Sequence, residues 1–199
     1  DFLNASGSHE IVFGPNMTSL TFMLSRALVR TFNPGDEIVV TRLDHDANIT
    51  PWVMAAEDRG CKIVWVDFHP EDGTLNMDEM QAALARKPRL VAVGYASNAL
   101  GTINPVAKIT QMAHEAGALI YIDAVQYAPH GPIDVQRLEG GVGDEAIGGE
   151  AVEARSGDSR EVGGPLGDQE RDLPEADRRY AQPAVLQRRN GQVPAAPAQ

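Results

Sequence analysis

Ala118-Leu119-Ile120-Tyr121-Ile122-Asp123-Ala124-Val125-Gln126 decides the fold. Its short apolar, β-branched run reads as a buried strand that delivers an acid at its carboxyl edge and an amide three residues later. In open α/β sheets ligands bind beyond the carboxyl ends of the strands, so Asp123 stands where a ligand group would be met. The alternative for the same residue is a loop Asp capping the next segment.

Working outward, the same pattern repeats upstream. Strands are expected at Glu37–Thr41, Lys62–Val66 and Leu90–Gly94, and a shorter strand-like run at Glu10–Phe13. Helices are expected from Met17, over Asn48–Arg59 with Pro51 in the first turn, over Asn76–Arg86 and over Val106–Ala116. Asp1–Ala5 reads as a last helical turn, and Asn33-Pro34-Gly35-Asp36 as a turn. Strands alternating with helices of this length predict an α/β fold, a mostly parallel sheet with helices on both faces. That organisation extends to about Leu138.

Beyond it the composition changes. Residues 139–199 contain no Lys, Phe, Trp, His, Met or Cys, and Tyr180 is their only aromatic residue. Without a period of 2 or 3.6, such a segment buries too little surface to offset its ordering entropy. The expected division is therefore 1–138 as a folded domain and 139–199 as a low-complexity, irregular tail. The tail is either a natural acidic extension or the product of a reading-frame slip near Leu138, the slip being the favoured reading.

A net charge of −11 argues against nucleic acid as a partner, because phosphate binding needs clustered Lys and Arg. No apolar run approaches the ~18 residues of a membrane span, and nothing resembles a signal peptide. The single Cys61 excludes an internal disulfide and fits a reducing compartment, so the cytoplasm is the expected location.

Four loops carry the candidate chemistry. Gly14-Pro15-Asn16-Met17-Thr18-Ser19 opens a helix, whose free N–H groups and positive dipole end could cup a phosphate; the alternative is simple N-capping by Asn16 or Thr18. Asp44-His45-Asp46-Ala47-Asn48 follows a strand. With no second His or Cys at ligand spacing it is a poor metal site, whereas His45 could stack on a flat ring or shuttle protons. Asn98, in Ser97-Asn98-Ala99-Leu100-Gly101-Thr102, offers both donor and acceptor groups, and Gly101 permits a tight turn. Asp123, facing a heteroaromatic nitrogen, would hold that nitrogen protonated, as a pyridoxal ring requires.

Together these motifs resemble the class V aminotransferases, the group that includes the cysteine desulfurases, within the fold-type I pyridoxal-phosphate enzymes. The resemblance covers residues 1 to about 138 and implies part of a large cofactor-binding domain, with segments of the family absent at both ends. It implies pyridoxal 5′-phosphate as cofactor, an amino acid as substrate, and a homodimer. Met17 and Thr18 match the phosphate turn, and His45 the ring-stacking, proton-transferring His. Asn98 and Gln126 match residues near the ring hydroxyl, and Asp123 the acid paired with the pyridine nitrogen.

The family's Schiff-base Lys lies downstream of that Asp, yet Lys62, Lys87 and Lys108 all precede Asp123. The expectation is a portion of a pyridoxal-phosphate enzyme, cysteine desulfurase-like or an aminotransferase, that is inactive in this form. The alternatives are a non-catalytic protein that binds the cofactor or pairs with a paralogue, and an unrelated nucleotide-binding α/β domain.

Overall fold

The structure is a computed structural model that describes residues 2–139 and the backbone of Ala184–Gln187. Four parallel strands form its centre: β1 (Glu37–Thr41), β2 (Lys62–Val66), β3 (Leu90–Gly94) and β4 (Leu119–Asp123). A short fifth strand, β5 (Ala184–Gln187), pairs antiparallel with β4, and the order across the sheet is β2-β1-β3-β4-β5. Within 139–199 the structure describes Glu139 and the backbone of β5. The expectations for the rest of that segment lie outside the described residues.

The strands form because each is a β-branched run bounded by turn residues, and their side chains alternate between two cores. Ile38, Val40, Leu90, Ala92 and Tyr121 pack on one face with α1 (Met17–Leu28) and α2 (Thr50–Arg59), through Met17, Leu28, Trp52, Ala55 and Ala56. Val39, Val66, Val91, Val93, Ile120 and Ile122 pack on the other. They meet α3 (Met77–Ala85), α4 (Val106–Ala116) and α5 (Val135–Glu139) through Met80, Leu84, Ile109, Ala113 and Leu138. A parallel sheet covered on both faces follows directly from strands apolar on both sides. Each fully buried Val, Leu or Ile contributes roughly 1.5–3 kcal/mol.

Local signals set the helix ends. Asn16 and Asn76 cap α1 and α3, each side chain accepting from the backbone N–H three residues on. Gly60 and Gly117 close α2 and α4 in the left-handed region, at φ 73° and 80°.

Two expectations fail near the N-terminus. Glu10–Phe13 forms no strand; Ser8–Glu10 is a single 3₁₀ turn, and Val12 and Phe13 are 77% and 92% exposed. A short apolar run without a neighbouring strand has no ladder to join. Residues 2–5 are not helical either. Asn4 takes φ 49°, and the segment docks on α5 through Val135 N–H to the Leu3 carbonyl and the Gln136 amide to the Asn4 carbonyl.

The order β2-β1-β3 makes the chain reverse direction across the sheet between β1 and β3, the kind of switch point at which a crevice opens beyond the strand ends. Pairing there covers only Ile38↔Leu90 and Val39↔Val91, against five pairs on the far side of each strand.

Candidate functional site

A cleft opens at that switch point. Met17 and Thr18 from the start of α1, Asp44, His45 and Ala47 after β1, Gly94, Ala96 and Asn98 after β3, and Asp123, Val125 and Gln126 after β4 all line it. The six residues singled out from sequence, scattered from position 17 to 126, thus meet in one place.

The helix start is capped by Asn16. The Asn16 side chain takes the Ser19 N–H at 2.8 Å, and the Leu20 N–H turns back to the Asn16 carbonyl. Met17 and Thr18, the first residues of α1, line the cleft, and the first amides of a helix have no intrahelical acceptor. Asn16 is therefore the N-cap.

His45 follows β1. Its Nδ1 accepts from the Ala47 N–H at 3.1 Å, which places the proton of the neutral ring on Nε2. His45 also starts the 3₁₀ turn Asp46–Asn48. Asp46 is engaged elsewhere, accepting from the Thr50 hydroxyl at 2.6 Å.

Asp123 is 9% exposed, and one carboxylate oxygen accepts from the Val125 N–H at 3.0 Å. Loss of solvent pushes its carboxyl above the usual range; the Val125 bond and the proximity of His45 act in the opposite direction. Among the described residues no Lys, Arg or His forms an ion pair with it. An acid so placed gains from a cationic partner inside the cleft.

Asn98 sits in the turn that Gly101 completes at φ 77°, with the Ser97 hydroxyl accepting from the Ala99 and Leu100 N–H groups. Lys62, Lys87 and Lys108 do not line the cleft.

Sequence reasoning missed Asp44. Its Oδ1 accepts from the Gly94 N–H at 2.7 Å and its Oδ2 from the Asn48 side-chain amide at 2.9 Å. Asn48 is wholly buried and receives the Trp52 indole N–H at 3.4 Å. The available signal was Gly94 itself, a glycine ending an otherwise apolar strand. A side chain there would come within 2.7 Å of the Asp44 oxygen.

The family model for aminotransferase class-V matches residues 1–140. A cysteine desulfurase from Pectobacterium atrosepticum is 40% identical over 139 residues, and a probable cysteine desulfurase from Halalkalibacterium halodurans is 37% identical over 138. Each match covers 69% of this chain and 34% of the relative. The crystal structure of a cysteine desulfurase from Escherichia coli superposes with a TM-score of 0.65 at 32% identity, over 69% of this chain and 35% of that one. The chain thus spans about a third of the length of the relatives it matches.

Proposed function

This chain belongs to the aminotransferase class-V family, and from that premise we propose that its cleft is a bed for pyridoxal 5′-phosphate in a protein acting on an amino acid. The carrying observation is the meeting of Met17, Thr18, His45, Asn98, Asp123 and Gln126 in one cleft at the switch point of the sheet. The residues fit the group. The start of a helix suits a phosphate, and a desolvated carboxylate that forms no ion pair among the described residues suits a ring nitrogen that carries a proton.

In this reading residues 1–138 are a portion of the cofactor-binding large domain. Bound there, the cofactor supplies an electron sink for charge developing on the substrate's carbon. The chain's own residues hold it in place. Met17 and Thr18 would take the phosphate, and Asp123 would keep the ring nitrogen protonated. Asn98 and Gln126 would hydrogen-bond the ring hydroxyl. His45, its Nδ1 committed to Ala47, would stack on the ring and present Nε2 for proton transfer.

Identities of 37–40% to cysteine desulfurases favour the sulfur-removing chemistry over transamination. No lysine of this sequence lies beyond Asp123, so the 199 residues alone would hold the cofactor without a covalent bond and would not turn over substrate. Incubation with pyridoxal 5′-phosphate, borohydride reduction and peptide mass spectrometry test this. Saturable cofactor binding with no adduct on Lys62, Lys87 or Lys108 is expected. A stoichiometric adduct on any of the three would overturn the assignment.

A further inference from the structure

The gap between β1 and β3 is bridged by one side chain. These strands pair at Ile38↔Leu90 and Val39↔Val91, and beyond those pairs Asp44 reaches across to the Gly94 N–H at 2.7 Å. The same carboxylate is tied behind to Asn48 at 2.9 Å. Asn48 N–H returns to the His45 carbonyl at 2.8 Å, and Ala47 N–H to His45 Nδ1 at 3.1 Å. His45 is therefore held in a small closed ring of bonds that Asp44 ties to β3.

We infer that Asp44 is a positioning residue of the cleft, which clasps the loop after β1 to the end of β3 and thereby fixes the imidazole of His45 beside Asp123. The clasp stands on its own geometry, whereas its use in handling a cofactor rests on the reading given above. Gly94 is the matching half, since any side chain there would collide with the Asp44 oxygen.

A carboxylate is an expensive choice at this place. Desolvation raises Asp44 to about 7, with the nearby charge of Asp123 on β4 adding to the rise; the Gly94 amide, the Thr41 hydroxyl and the Asn48 amide oppose it. His45 is its neighbour in the chain, and Asp46 is turned to Thr50. Both Asp44 oxygens face N–H donors, so the clasp is made by the ionised form and weakens on protonation. A cation against Asp123 would cancel part of the repulsion and tighten the clasp.

The test is a pH titration of the full, isotope-labelled 199-residue chain, followed by NMR at the Gly94 amide, the Ala47 amide and the His45 ring. In the native chain the Gly94 and Ala47 signals are expected to move together around pH 7. Asp44→Asn should flatten the Gly94 curve and displace the Ala47 and His45 signals. Gly94→Ala, which keeps the carboxylate but pushes it off the amide, should do the same and serves if the first variant fails to fold. Folded variants in which Gly94 responds while Ala47 and His45 are unmoved would overturn the proposal, leaving Asp44 as a structural tie only. Pyridoxal 5′-phosphate is then added as a separate step and is expected to lower the Gly94 midpoint by about one pH unit, a tenfold change in proton affinity. If the chain binds no cofactor, the proposed function falls, and the cofactor-free titration still decides the role of Asp44.

Discussion

The hydroxyls of Thr21 on α1 and Tyr121 on β4 meet 2.7 Å apart inside the core. Thr21 already donates to the Met17 carbonyl at 2.9 Å, so Tyr121 is the donor between the two. Burial drives the phenol further above its ordinary value, which keeps that proton on Tyr121. The bond joins the helix that begins with Met17 and Thr18 to the strand that ends in Asp123, fixing two walls of the cleft relative to each other. Trp52 packs edge-on against the same ring, with centroids 5.2 Å apart.

Tyr121→Phe is expected to cost about 0.5–1.5 kcal/mol, since Thr21 keeps its bond to Met17 and only the shared bond is lost. Urea unfolding monitored by circular dichroism measures it. The same variant should weaken cofactor binding through the looser α1–β4 geometry.

Asn16→Ala removes the cap from α1 and leaves the Ser19 amide without its acceptor. A loss of about 1 kcal/mol is expected. Because the freed amide adds a donor at the helix start, affinity for inorganic phosphate should not fall in proportion to stability. Parallel unfolding and phosphate titrations would show the difference.

The pH dependence of stability has a fixed sign. Asp44 sits at about 7 in the fold against an ordinary 3.8, so between those values the folded chain keeps a proton that the unfolded chain releases. Stability should therefore fall as pH rises from about 4 to about 7, by an amount of the order of 2–4 kcal/mol, and level off above. Asp123, also raised, acts in the same sense. Asp44→Asn should remove most of this slope. A native chain that gains stability over the same interval would contradict the assignment.

Much of this was readable without coordinates, for physical reasons. The strands β1, β2 and β3 are short apolar runs rich in Val and Ile, and Gly35, Gly60 and Pro88 stand shortly before them. The six cleft residues were legible because each sits at the carboxyl end of a strand or the start of a helix, positions a parallel sheet gathers on one edge. Asp44 was not. In Asp44-His45-Asp46 the two acids look alike, and only a contact with Gly94, fifty residues away, separates the one that lines the cleft from the one that accepts from the Thr50 hydroxyl. The run Glu10–Phe13 misled for the converse reason: local β propensity without a partner strand forms nothing.

The central claim is that Asp123 and the start of α1 hold pyridoxal 5′-phosphate between them. Equilibrium titration of the cofactor into the native chain and into Asp123→Asn tests it most directly, read by absorbance and by the ³¹P resonance of its phosphate. One saturable site per chain is predicted, with affinity reduced at least tenfold in Asp123→Asn, the loss of a charge-assisted bond worth about 1.5–3 kcal/mol. No saturable site in the native chain, or equal affinity in the two, would contradict it.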